Sequence, residues 1–430
     1  MKKNIIIKPA SIAGTFFLPP SKSHTMRAIL LASLANGRSL IENYLHSPDT
    51  EAMIEACESF GAEIIESKDQ LMIDGVKASP TFFNKIIDSK NSGQVFRFIA
   101  AIASMTNQKI IITGDHSIQT RRVIEPLLKG LQQLGAVAYC QVPNRSAPIV
   151  IKGPLNSGTV CVEGADSQVV SALLMLAVFL EGTTKIIVKN PGEKPWVDLT
   201  LYWLAKLGVR YQKSDYYNEY IVEGRRDVLG FDYTVASDLS SLAFPLIAAI
   251  ISNQGSVIHH ADIFDVQGDK KILKLVSDMG ALWEYDEKKN DLTIFPHLGL
   301  KGIEMDINDC IDALPALATL ACFAEGKTTI KGAAIARKKE SNRILSMKDE
   351  LTKMGAKIVE TEDGLEIYGS KLYGASLKSY EDHRIAMALF IAASYAESNS
   401  VLEGVECIQK SFPNFLSLMT QNGAVFEESL

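Results

Sequence analysis

The chain has 430 residues, of which 47% are apolar and 22% charged, and a formal net charge of −6. This is the composition of a globular protein long enough for two domains. It excludes a general nucleic-acid or membrane-surface binder, which needs a basic excess to neutralise phosphates. Any anion site must therefore be a local cluster of cations. The six cysteines are dispersed and form no CxxC pair, which reads as a reduced, intracellular protein without a zinc site. The opening MKKNIIIKPAS carries too short an apolar run for a signal peptide. The longest apolar runs, such as Ala172–Leu180, are too short to span a bilayer. The expected location is the cytoplasm.

Taken in chain order, the first conspicuous element is LPPSKSHTMRAILLASLANG, Leu18 to Gly37. It reads as an almost wholly apolar helix with Lys22 and Arg27 at its mouth. A helix start already carries about half a positive charge, so each cation there costs a few tenths of a kcal/mol. That placement makes sense when an anion sits on the helix start; the plainer alternative is that both side chains reach solvent. An amphipathic helix follows. Met53, Ala56, Cys57 and Phe60 share one face, with Pro48 near the start and Gly61 at the stop. β-rich stretches at Glu63–Ile65 and Leu71–Ile73 come next.

The same two helix types then alternate to the end of the chain. SFGAEI, QLGAVA, KLGVRY, DMGALW, KMGAKI and QNGAVF place glycines at 61, 135, 208, 280, 355 and 423, at intervals of 74, 73, 72, 75 and 68 residues. Six motifs at five near-equal intervals make a repeat. The last amphipathic helix carries Phe412, Phe415, Leu416 and Met419 on one face. The apolar type recurs as SGQVFRFIAAIAS, SQVVSALLMLAVF, SSLAFPLIAAIIS, IDALPALATLACFA and HRIAMALFIAAS. Helices without a polar face belong in an interior, so each is expected to be the buried helix of one repeat. Their polar residues gather at the N-terminal ends, as N-capping favours: Ser23, Asn91 and Ser92, Ser167 and Gln168, Asp238 and Ser240, Asp312, and Asp382. Capping does not explain Lys22, Arg27, Arg97, His383 and Arg384.

The expected fold is α/β, with repeats of two helices and several strands grouped into two domains. Pro19–Pro20 and the stretch Gly230–Asp238 are the candidate crossings. That gives a discontinuous domain of residues 1–19 and 233–430 and a middle domain of residues 20–232. Mouths of the buried helices from both domains could then line one ligand cleft. Further cations fit this reading: Arg121 and Arg122 in SIQTRRVIEP, Lys338, Lys339 and Arg343 in ARKKESNR, Arg384 in EDHR, and Lys410 in IQKSFP. Asp312 and Glu340 sit among them, and a carboxylate within a basic cluster is an ion-pair partner or a proton-transfer group. There is no phosphate-loop, dinucleotide or HExxH motif. His259–His260 reads as strand or loop rather than a metal site, and Trp203 and Trp283 as core.

The motifs PSKSHTMRA, KNSGQVFRF, GDHSIQTRR, DSQVVSALL, EKPWVDLTL, NDCIDALP, KKESNR, DHRIAMAL and KSFP resemble, in order, those of the 5-enolpyruvylshikimate-3-phosphate synthase family. The resemblance spans essentially the whole chain. It implies an inverse α/β barrel-like fold of six βαβαββ-type repeats, three in each of two domains that close over the substrates. It also implies transfer of the enolpyruvyl group of phosphoenolpyruvate to the 5-hydroxyl of shikimate 3-phosphate, with release of phosphate. No metal or organic cofactor is implied, and a monomer is expected. Carried over, Lys22, Gly93, Arg121, Gln168, Arg343, Arg384 and Lys410 look like the phosphoenolpyruvate site. Lys22, Ser23, Arg27, Ser167, Gln168, Asp312 and Lys339 look like the shikimate 3-phosphate site. Asp312 resembles the base that takes the hydroxyl proton, Glu340 the acid that protonates the methylene carbon, and Lys22 the group polarising the centre.

Two alternatives stand beside this reading. The sister transferase acting on UDP-N-acetylglucosamine has a cysteine in the loop where this chain has His116 and Ser117, and Asn where it has Ser23. A non-catalytic anion-binding relative would not need Asp312, Glu340 and Lys22 together. The chain also departs from the family pattern. Asp166 and Glu193 stand where Ser is usual, Trp196 replaces Tyr, Ile335 lies near an expected Asn, Gln94 replaces Thr and Arg122 replaces Pro. Two carboxylates facing a phosphate unpaired would nearly abolish binding. Asp166 is therefore expected to cap its helix, and Glu193 to pair with a cation, Arg122 being the candidate.

Overall fold

Residues 3–429 are described by a computed structural model of the chain; Met1, Lys2 and Leu430 lie outside the description. The chain divides into one unit of Met1–Pro19 with Ser237–Leu430 and another of Pro20–Ala236. The described strands form six sheets of four strands each, three in either unit.

One repeat shows the rule. Strand Ile86–Asp88 leads through the buried helix Gly93–Ala103 to strand Ile110–Thr113, then through helix Glu125–Gln133 to strands Val137–Cys140 and Ile149–Lys152. The first two strands pair in parallel because a helix carries the chain back between them. The last two form an antiparallel hairpin whose second strand joins the pair. The sheets containing Thr159–Glu163 and Glu304–Asp306 repeat this order within a continuous stretch. The other three borrow a strand from far along the chain. Asn4–Lys8 pairs with Ser400–Glu403, Thr15–Phe17 with Ser256–His259, and Asp232–Thr234 with Asn36–Glu42.

That last pairing places the second crossing within the suggested stretch Gly230–Asp238, after Ala236 rather than after residue 232. Asp232, Tyr233 and Thr234 lie beside Leu40, Ile41 and Glu42, so this strand belongs with Pro20–Ala236 and the chain leaves that unit only after Ala236. The sheets remain separate, so neither unit is a closed barrel among the described residues.

The six buried helices are Lys22–Leu34, Gly93–Ala103, Ser167–Val178, Leu239–Ser252, Leu314–Ala321 and His383–Ser394, here the first to sixth core helices. Every residue of the first is buried. Ser21, Ser92, Asp166, Asp238 and Asp382 cap five of them by accepting a backbone N–H with the side chain. The fifth helix has no side-chain cap and is entered from a 3₁₀ turn, Asn308–Ala313, which leaves the Asp312 carboxylate for other partners.

All six repeat glycines have positive φ, between +69° and +108°. After helix Pro48–Ser59, Gly61 N–H bonds to the Glu58 carbonyl at 3.0 Å and Ala62 N–H reaches back to Cys57 at 3.2 Å. This closure needs a left-handed residue, which glycine supplies without strain. The last amphipathic helix is shorter than its pattern suggested. It runs Phe415–Gln421, because Pro413 disfavours helical backbone at Phe412, although Phe412 still packs in the core. His259 ends a strand, stacks on Phe17 and bonds Asp291 at 2.7 Å. Trp203 is fully buried and Trp283 packs partly buried against the core. No described helix is long and apolar enough to cross a membrane.

Candidate active site

In the unit Pro20–Ala236 the mouths of the first three core helices carry the predicted residues. Lys22, buried, meets Asp49 of helix Pro48–Ser59 at 3.3 Å. Arg27, one turn further in, is 2% exposed. Its guanidinium donates to Thr200 Oγ1 (2.9 Å), the Ser23 carbonyl (3.1 Å), Ser171 Oγ (3.4 Å) and the Trp196 carbonyl (3.5 Å), and lies over the Phe98 ring. No carboxylate is among these partners. Burial alone pulls its pKa down to about 9: the site makes the cation costly and holds it still. Thr200 and Ser171 were not legible in the sequence, since lone hydroxyls on apolar helices carry no pattern.

Beside it, Gln94 Nε2 donates to Ser23 Oγ at 3.2 Å. Arg97 Nη1 donates to Gln168 Oε1 at 3.1 Å, and Nη2 pairs with Asp166 at 2.8 Å. Asp166 thus caps Gln168 N–H at 3.0 Å with one oxygen, as expected, and engages Arg97 with the other, which was not foreseen. Glu193 Oε2 accepts from both the backbone N–H and the hydroxyl of Ser167, at 3.0 and 3.1 Å. Gly93 opens the second core helix where space is short: a Cβ there would lie 3.0 Å from Arg97 Nη1, 3.4 Å from Gln168 Oε1 and 3.5 Å from Arg122 Nη1. Arg122 is buried, whereas Arg121 ends helix His116–Thr120 with its side chain exposed.

The other unit gathers the remaining predicted residues around Arg343, which is 1% exposed. Its guanidinium meets three carboxylates: Asp382 at 2.8 Å, Asp312 at 2.6 Å and Glu340 at 2.8 Å. Arg384 holds the second Asp312 oxygen at 3.0 Å and donates to Ser240 Oγ at 2.7 Å. Lys410 holds the second Glu340 oxygen at 3.1 Å. Lys339 is buried and acts on Asp312 electrostatically. Burial opposes the charge of Asp312, but Arg384, Arg343 and Lys339 outweigh it and keep the carboxyl well below the usual range. Asp269 is the opposite case. Burial, reinforced by Asp312, pushes it well above the usual range, and neither of its oxygens has a hydrogen-bond partner among the described residues. Sequence reasoning saw Asp382 only as a cap; its second task, as the partner of Arg343, was not visible.

These features define an α/β protein of repeated units in which buried helix mouths gather fixed cations and a few carboxylates. The sequence model of EPSP synthase (3-phosphoshikimate 1-carboxyvinyltransferase) matches residues 6–419. A 3-phosphoshikimate 1-carboxyvinyltransferase of Chlamydia pneumoniae is 43% identical over 424 residues, covering 98% of this chain and 94% of the relative. One of Ruminiclostridium cellulolyticum is 37% identical, covering 98% and 99%. Among solved structures, an EPSP synthase of Acinetobacter baumannii superposes with a TM-score of 0.83 at 28% identity, covering all of both chains. The enolpyruvyl transferase NikO of Streptomyces tendae shares the fold, with a TM-score of 0.80 at 17% identity over 100% of this chain and 99% of its own. The chain belongs to the EPSP synthase family.

Proposed function

We propose that this enzyme transfers the enolpyruvyl group of phosphoenolpyruvate to the 5-hydroxyl of shikimate 3-phosphate and releases inorganic phosphate. The observation that carries the reading is Arg27: a buried guanidinium, held by hydroxyls and carbonyls and lacking a carboxylate, is arranged for an anionic ligand. The two substrates bring about six negative charges, which only several fixed cations can hold together.

In this reading Arg27, Ser23, Ser167, Gln168 and Lys339 hold the acceptor, while Arg121, Gln168, Arg343, Arg384 and Lys410 hold phosphoenolpyruvate, with Gly93 leaving room for it. Lys22 lies against both. Asp312 takes the proton of the 5-hydroxyl as its oxygen bonds to C2 of phosphoenolpyruvate, and the methylene carbon takes a proton from Glu340. Loss of a proton from the resulting methyl group then expels phosphate and restores the double bond. The ion pairs give this sequence an order. While Arg343 and Arg384 clamp Asp312 it is a poor base; once anionic substrate draws them off, its proton affinity rises towards the ordinary carboxylate range. A monomer in the cytoplasm suffices for this chemistry.

The test is to mix the purified protein with both substrates and follow phosphate release together with the vinyl protons of the product by NMR. Stoichiometric appearance of both is expected. Phosphate release without the new vinyl ether, or no release at all, overturns the proposal.

A further inference from the structure

Glu193 sits at a left-handed backbone position (φ 46°, ψ 42°) directly before helix Lys194–Lys206, and it is 1% exposed. Non-glycine residues rarely adopt this conformation, so the turn delivers the carboxylate to a fixed place. That place is the mouth of the third core helix, where Oε2 accepts both the amide and the hydroxyl of Ser167. A carboxylate oxygen on two converging donors occupies the position a phosphate oxygen would take. Its neighbour Asp166 is differently committed, with one oxygen on the Gln168 amide and the other on Arg97. Of the two acids that stand where the family pattern has serine, only Glu193 holds both donors of Ser167.

We propose that Glu193 is a resident anion on the Ser167 donors that a phosphorylated acceptor must displace, and that it thereby sets acceptor affinity and the preference for phosphorylated over unphosphorylated forms. This rests on the assignment of Ser167 to the acceptor's phosphate. Displacement rotates the Glu193 side chain off the Ser167 donors, breaking the two hydrogen bonds there but no covalent bond. It frees the amide and hydroxyl of Ser167 for phosphate oxygens, while Arg27 is available throughout. An acceptor without phosphate has nothing to exchange for Glu193 and leaves the carboxylate in place.

Calorimetric titration of the wild type, Glu193→Gln and Glu193→Ser with shikimate 3-phosphate, shikimate and inorganic phosphate tests this. Glu193→Ser should bind shikimate 3-phosphate at least tenfold more tightly and inorganic phosphate more tightly as well, with the shikimate Kd moving less than twofold. Glu193→Gln keeps the shape without the charge and should move in the same direction, which covers the case in which the serine variant folds poorly. Less than a fivefold gain for shikimate 3-phosphate in both variants, or equal shifts for shikimate and its phosphate, overturns the proposal. A wild type that turns over no shikimate 3-phosphate counts against the transferase reading instead; the inorganic-phosphate titration then still decides whether Glu193 holds an anion's place.

Discussion

Two buried arginines, Arg343 in one unit and Arg27 in the other, are held in opposite ways. Around Arg343 every nitrogen of the guanidinium faces a carboxylate, with Arg384 and Lys410 extending the cluster through Asp312 and Glu340. Around Arg27, among the described residues, the partners are hydroxyls, carbonyls and an aromatic face. A buried pair compensates its own desolvation and is ruinous to break, whereas a lone buried charge is costly to keep. Removing one partner from the first arrangement would therefore destabilise the ligand-free protein; the second leaves a site with unspent attraction. Carboxylates are the natural choice where a base and an acid are also needed, and hydroxyls where a ligand's own charge is to be the partner.

The most damaging changes should be those to the carboxylates given proton-transfer roles. Asp312→Ala and Glu340→Ala are each expected to lower kcat by roughly 10²-fold or more. Near-normal turnover by either variant would remove its residue from the chemistry. Asp382→Asn sharpens the stability side of the comparison. It strips Arg343 of its fully buried partner, which should cost roughly 3–5 kcal/mol, read as a lower midpoint in urea unfolding. A loss under about 1 kcal/mol would mean that the cluster is not self-compensating.

The smallest expected effect concerns pH. Asp312 is held below the ordinary carboxylate range, so its contribution to stability is present above its unfolded pKa, about 4, and is lost as the pH falls below that. Asp269 is raised by burial and by Asp312, so the unfolded chain ionises first and its presence erodes stability as the pH climbs above about 4. Asp269→Asn should therefore raise the thermal midpoint more at pH 7 than at pH 4. An equal change at both would show that Asp269 is ionised in the folded protein.

Much of this was legible in the sequence, for identifiable reasons. The repeat announced itself because each amphipathic helix must stop at a left-handed residue, as Gly61 and Gly135 do. The core helices were visible because they lack a polar face, and Asp166 as a cap because it precedes one. The second crossing was legible as the stretch Gly230–Asp238 but not to the residue, because a three-residue strand, Asp232–Thr234, has too little pattern to show which sheet it joins. In the site, charge patterns disclosed Arg27 and Arg343 but not what surrounds them. Thr200 and Ser171 come from other helices, and Asp49 reaches Lys22 from the next helix along. Such pairings are made by topology, not by spacing.

The central claim is that Arg27 is kept without a counter-charge so that an acceptor's anion can supply it. Arg27→Met tests it in one variant by two readings, acceptor affinity by calorimetry and ligand-free stability by thermal unfolding. The account predicts that shikimate 3-phosphate binding weakens by roughly 30-fold or more while the unfolding midpoint stays level or rises. Retained acceptor affinity together with a lower midpoint would contradict it, because Arg27 would then be a structural cation already satisfied by its hydroxyl partners.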